Sequence, residues 1–142
     1  SDARDLIAAF DAMIAPYLSE MAAHGVWLTR LASALSNHAF SFEPVFHWKD
    51  SWQPLHRRAP EPAFLQKMTE PEANPAARKL VDQLRLETVQ LFRKLGAASN
   101  QIGRTYPYLE ALSPVPAELL KGIKAILDPG RLMNPGVIGL GR

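Results

Sequence analysis

The sequence predicts an α+β fold in which long helices pack on a small antiparallel sheet and an irregular tail comes last. Three observations point there. Two long stretches carry apolar residues at helical spacing, one stretch alternates aromatic and polar residues, and the C-terminus holds two Pro-Gly turns.

The first helix spans Asp2 to about His24. Leu6, Ile7, Phe10, Met13, Ile14, Tyr17, Leu18 and Met21 form one 3.6-period face. Pro16 removes a backbone donor inside this pattern, and the preserved phase favours a kink over a break. Gly25 is a natural stop. Val26 to Leu35 does not settle its period. Ala39 to Trp48 reads as a strand with Phe40, Phe42, Pro44, Phe46 and Trp48 on one face, and Pro44 implies an edge or a bulge. The aromatic face is expected in the core, with part of it available to a neighbouring domain.

Lys49 to Asn74 is a long connection containing Pro54, Pro60, Pro62 and Pro71 without a sustained period. Such a segment is either a functional loop or a strap lying on another domain. Asn74 and Pro75 then suit the N-cap and first position of a helix running to Leu95. Its buried side is expected to hold Leu80, Val81, Leu84, Leu91, Phe92 and Leu95, and Gly96 ends it. Ala97 to Arg104 reads as a short strand or turn. A third helix, from about Val115 to Leu127, stops at Asp128-Pro129-Gly130.

Composition narrows the function classes. An apolar fraction of 47% with 21% charged residues argues against global disorder. The net charge is only +2 and the basic residues are scattered, which gives nucleic-acid binding no support. Without cysteine the chain has no disulfide, thiolate nucleophile or cysteine metal site. A reducing cytoplasm fits, with peripheral membrane association as a variant. No uninterrupted apolar run long enough for a transmembrane helix and no signal-peptide pattern is apparent. The opening Ser1-Asp2-Ala3-Arg4 suggests an excised domain or a processed product, a trimmed native start being the alternative.

The tail contains Leu127-Asp128-Pro129 and, a few residues on, Asn134-Pro135-Gly136. Read as physics alone, this is a helix stop and a stiff docking segment. The two triplets at this spacing resemble the C-terminal signature of FAD-linked oxidases of the vanillyl-alcohol oxidase and p-cresol methylhydroxylase superfamily. The resemblance extends upstream to Ala97-Ala98-Ser99-Asn100-Gln101-Ile102-Gly103, which stands where hydroxy-acid dehydrogenases of that family carry a Ser-Gly-Glu-His-Gly-Ile-Gly segment. Only Ile102 and Gly103 are retained. Ser99 and Asn100 replace a metal-binding Glu and a His placed for acid–base work. An amide is no general base and a serine is a poor cation ligand, so no metal site is expected. The segment Phe42 to Trp48 also looks like a cap-domain strand of lactate- or glycolate-oxidase-like members.

The resemblance implies that residues 1–142 are one C-terminal, ferredoxin-like cap domain or fragment. The partner would be an N-terminal FAD-binding domain of the same enzyme, since no Gly-rich pyrophosphate loop appears in this chain. FAD would be held mainly by that absent domain, and the fragment alone would be inactive. The implied reaction is oxidation of a small hydroxylated substrate by hydride transfer to FAD. The first expectation is a 2-hydroxy acid such as lactate or glycolate, and the next a phenolic alcohol. From a different class, a stand-alone helical interaction module without catalysis accounts for the same tail.

The candidate site residues lie in three places. Asn100, Gln101, Arg104 and Tyr106, with Tyr108 beside them, offer amide, guanidinium and phenol donors suited to an anionic substrate or the flavin pyrimidine ring. Glu43 and His47 share a strand face but stand roughly 13 Å apart along it, too far for a direct acid–base pair. His47 is either a partly buried histidine beside Trp48 or a substrate or flavin-edge contact. His24, His38 and His56 are isolated, and Arg57-Arg58 read as a solvated surface pair or a carboxylate contact. Asn134, Pro135 and Gly136 would dock the tail on the flavin domain. An excised cap should expose an apolar patch and could form a homo-oligomer through it.

Overall fold

The computed structural model describes residues 3–99, 101, 103, 105–106 and 108–137. The architecture is α+β, with helices, a single two-stranded antiparallel sheet among the described residues and an irregular segment after the last helix. The chain divides into two compact units, Asp2–Thr88 and Val89–Arg142.

In the first unit, α1 (Ala3–Ile14) and α2 (Leu18–Ala23) are joined by a 3₁₀ turn at Ala15–Tyr17. Pro16 causes that turn by removing an intrahelical donor. A 3₁₀ turn winds tighter than an α-helix and so rotates α2 about the common axis relative to α1. Leu18, expected on the buried face, is consequently exposed, while Leu6, Phe10, Ile14 and Met21 are buried. Gly25, at φ +64°, closes α2 with the paired bonds Val26 N–H to Met21 O (2.8 Å) and Gly25 N–H to Ala22 O (3.2 Å).

The ambiguous segment after Gly25 is a strand, β1 (Trp27–Leu35), paired antiparallel with β2 (Ala39–His47). The register sets Leu31 opposite Glu43 and Arg30 opposite Pro44. With two strands every position is an edge, which accommodates the missing donor of Pro44. One sheet face meets α1, where Phe42 stands edge-on to Phe10 with ring centroids 5.4 Å apart and Arg30 lies over the Phe10 ring. The aromatic stripe Phe40, Phe42 and Phe46 is half-buried rather than core, because a two-stranded sheet is too narrow to enclose it. The core instead comprises the α1 and α2 residues, Val26, and Ala77, Leu80, Val81 and Leu84 of α5 (Pro75–Lys94).

The segment Lys49 to Asn74 is not structureless. It contains two short helices, α3 (Pro54–Arg58) and α4 (Pro62–Leu65), each with a proline preset for the first helical turn. The stretch Ala3–Ala23 is long and apolar enough to cross a membrane by length and composition, although the sequence reading found no such span. Here Leu6, Phe10, Ile14 and Met21 enter the core, and Asp11 pairs with Arg30 at 2.7 Å.

In the second unit, α5 ends at Gly96 (φ +75°) with the same paired bonds, Ala97 N–H to Phe92 O (2.9 Å) and Gly96 N–H to Arg93 O (3.1 Å). Leu91, Phe92 and Leu95 are not fully enclosed; Leu91 and Phe92 are half-buried. A one-turn helix α6 (Tyr108–Ala111) precedes α7 (Pro114–Leu127). The described residues between Ala97 and Arg104 form no strand. On α7 only Ala117 is buried, while Val115, Leu119, Ile123, Ile126 and Leu127 are exposed.

Candidate functional site

Two features of the fold carry chemistry, one in each unit. In the first unit the strap from Lys49 to Asn74 is closed by two carboxylates. Asp50 Oδ1 accepts the N–H of Asn74 (2.9 Å) and of Ser51 (2.8 Å), while Oδ2 accepts Trp48 Nε1–H (3.1 Å) and lies 2.9 Å from Arg78 Nε. The Asn74 amide, and after it Trp48, Ser51 and Arg78, hold the Asp50 carboxyl below its ordinary range against an opposing desolvation effect. Asn74 also caps α5 by accepting Ala77 N–H at 3.0 Å, and its side-chain amide donates to the carbonyl of His24 at 3.0 Å. One Asp–Asn contact therefore joins the two ends of the strap to the start of α5 and the end of α2.

Further along the strap, Glu70 accepts the N–H of Trp52 at 2.9 Å and receives Arg57 on both oxygens at 2.7 Å. The Arg57 guanidinium also stands 5.7 Å from the Trp52 ring centroid. A segment whose ends are joined and whose interior is tied by its own side chains is a structured strap rather than a tether.

Between the strap and the end of the sheet lies an open groove of about 710 Å³. All three tryptophans of the chain, Trp27, Trp48 and Trp52, line it together with His47, His56 and Phe64. His47 stacks on Trp27, with centroids 5.3 Å apart at an interplanar angle of 13°, and its Nε2 is 2.8 Å from Thr29 Oγ1. Its ring partner is thus Trp27 across the sheet rather than the adjacent Trp48. His56 Nδ1 accepts the N–H of Gln53 at 3.0 Å, which leaves Nε2 as the ring nitrogen carrying hydrogen. Such a groove suits a flat, largely apolar group and offers imidazole contacts at its rim.

Glu43 is exposed on β2, and the structure does not bring it together with His47. Gln101 is exposed, with its N–H directed to Ser99 Oγ at 3.3 Å and its carbonyl accepting from the same hydroxyl at 3.0 Å. Tyr106 is half-buried, and its carbonyl accepts Tyr108 N–H at 2.8 Å. Asn100 and Arg104 lie outside the described residues. No group of three potential metal ligands occurs among the described residues.

The second feature is the tail. Asp128, 6% exposed, ends α7 and folds the next residues around its carboxylate. Oδ1 accepts Leu132 N–H (2.8 Å), and Oδ2 accepts Met133 N–H (3.0 Å) and Lys124 Nζ–H (2.5 Å). Lys124 also donates to the carbonyl of Met133 at 2.5 Å. The Lys124 ammonium and then these amides hold the Asp128 carboxyl below its ordinary range despite desolvation. Arg131 (φ +53°), Asn134 (φ +44°) and Gly136 (φ +78°) turn the backbone, and Asn134 O accepts Val137 N–H at 3.1 Å. Leu132 and Met133 are left facing solvent.

The sequence reading missed Asp50, Glu70 and Asp128 as organising groups. The available signals were an acid at each end of a proline-rich strap and an acid at a helix stop beside turn residues. The fold and its two features define an α+β protein with a strapped aromatic groove and a carboxylate-clamped tail. No protein-family model, curated protein or solved structure matches the chain.

Proposed function

We propose that the chain is the C-terminal cap part of an FAD-dependent oxidoreductase. It acts on a small hydroxylated substrate, a 2-hydroxy acid such as lactate or glycolate or a phenolic alcohol. The observation that carries this reading is the tail, in which Leu127-Asp128-Pro129 and Asn134-Pro135-Gly136 belong to one segment folded about the Asp128 carboxylate. A docking surface needs a fixed shape, and this clamp supplies it while presenting Leu132 and Met133 outward. The exposed apolar side chains of α7 support the same reading, since an uncovered apolar stripe suits contact with a further domain.

The donor set fits an edge of a flavin site and no more. The amide of Gln101 and the phenol of Tyr106 suit hydrogen bonds to a flavin pyrimidine ring, but no pyrophosphate-cradling loop is present in the sequence. When bound, FAD supplies the hydride acceptor. The chain's own part is to orient the substrate and exclude water, and the aromatic groove with His47 at its rim is suited to hold a flat substrate group.

The test is to express the complete gene product, reconstitute it with FAD and screen hydroxy acids and phenols for loss of the flavin's visible absorbance under anaerobic conditions. Bleaching by one class supports the reading and names the substrate class. Failure of the complete product to retain FAD sinks it. The same α7 stripe favours the second reading, an interaction module without catalysis, and a complete product that binds no flavin but forms a stable hetero-complex would select it.

A further inference from the structure

The groove between the strap and the end of the sheet is walled by three tryptophans, and each is held by a different partner. Trp27 stacks on His47, whose Nε2 lies 2.8 Å from Thr29 Oγ1. The Trp48 indole N–H donates to Asp50. Trp52 is fixed at its backbone N–H by Glu70 and at its ring by the Arg57 guanidinium. Rings held in place before a ligand arrives lose little freedom on binding, so such a wall favours a ligand that matches its shape. The matching shape is a flat ring, which gains both contact area and offset or edge-to-face ring contacts.

Charge is compensated along this wall. Asp50 already meets the amides of Asn74 and Ser51, the Trp48 indole and Arg78. Arg57 and Glu70 neutralise each other. For the polar end of a ligand the lining holds Lys49 and the Nε2–H of His56. Both are donors and complement an acceptor, such as a carboxylate or a phenol oxygen, at one end of an otherwise apolar molecule. The volume of about 710 Å³ suits a small molecule of that kind. A short aliphatic hydroxy acid such as lactate or glycolate brings almost no apolar surface to the three indoles and leaves most of the groove to water.

We infer that the groove binds the aromatic ring of a hydroxylated aryl compound, with an acceptor group of the same molecule at Lys49 and His56. The substrate is thereby narrowed to ring-bearing hydroxy compounds, and lactate and glycolate drop out. That narrowing rests on the proposed function, whereas the ring site rests on the groove alone.

All three indoles of the chain line the groove, so their N–H resonances report on it directly. The 142-residue chain is titrated with a hydroxybenzyl alcohol, with mandelate and with lactate, and followed by proton–nitrogen correlation spectra. At least one aryl compound should shift the indole signals saturably with a Kd below about 1 mM, and lactate should bind at least about tenfold more weakly. Trp52→Leu should weaken aryl binding by about tenfold. If that variant does not fold, Phe64→Ala, at a residue 57% exposed on the groove, takes its place. No saturable shift with either aryl compound, equal affinity for lactate or unaltered affinity in the variant overturns the inference. Indole shifts that follow protein concentration, with a doubled mass in sedimentation, assign the groove to a second copy and overturn it too. Flavin content and bleaching are read separately on the complete gene product. Ring binding by the chain with no flavin retained by the complete product leaves the groove standing and removes the oxidoreductase reading. Flavin bleached by lactate without ring binding overturns the groove and leaves that reading.

Discussion

Lys124 and Asp128 stand one helical turn apart at the end of α7, with Nζ 2.5 Å from Oδ2. Both reach beyond the helix, the ammonium to the Met133 carbonyl and the carboxylate to the Leu132 and Met133 amides. The pair is therefore the junction on which the tail is folded. Replacing Asp128 by Ala strands a cation and frees two amides, whereas replacing Lys124 by Met leaves the carboxylate its amide partners. We expect D128A to lower Tm by several degrees and K124M by less, with tail amides 132–133 exchanging faster in D128A. Equal Tm for D128A and the parent protein would remove the clamp.

The acid limb of stability originates in Asp50 and Asp128. Both carboxyls are held below their ordinary range when folded. The unfolded chain then binds protons first, so their stabilisation is complete above the ordinary Asp pKa of about 3.9 and is lost as pH falls through the lower folded values. Urea midpoints measured from pH 6 downward should fall most steeply below about pH 4. The D50N variant should show a shallower acid limb, and an unchanged slope would count against the role assigned to Asp50.

Asn74 has two separable functions, capping α5 through Oδ1 and holding the His24 carbonyl through Nδ2. N74A should cost about 1–2 kcal/mol in denaturant unfolding, the upper part of the range for a lost cap. N74S keeps a capping oxygen without adding a charge beside Asp50 and loses the amide donor, so it should retain more stability than N74A. A reversed order would show that the contact to His24 outweighs the cap.

Glu70 holds the strap from inside through Trp52 and Arg57. The Arg57 side chain is 55% exposed, so this ion pair contributes little globally, on the order of 0–1 kcal/mol. The visible effect should be local. E70A should be nicked by trypsin at Arg57 or Arg58 several times faster than the parent while its Tm stays within a few degrees. Unchanged cleavage would mean that the strap is held by its other contacts.

Much of the fold was legible in the sequence because its signals are local. The face of α1, the Asn74 cap, the stops at Gly25 and Gly96 and the Pro16 distortion each depend on a few neighbouring residues and are present as read. Val26 to Leu35 was ambiguous for a local reason as well. Its strand character depends on β2, and a chain segment does not carry its partner in its own periodicity. Of the candidate site residues, His47 gains a partner and a groove wall, Glu43 stands apart from it, and Asn100 and Arg104 lie outside the described residues.

By itself the sequence determined the α+β class, the outer boundaries of the three long helical stretches to within a few residues and the turn chemistry of the tail. These depend on backbone preferences and hydrophobic spacing over a few residues. Only the tertiary structure decided that Asp50 meets Asn74 across 24 positions and that Trp27 joins Trp48 and Trp52 around one groove. It also decided that the α7 apolar stripe faces outward. Those outcomes depend on contacts between segments distant in the chain, where burial and partner geometry, rather than residue type, set the result.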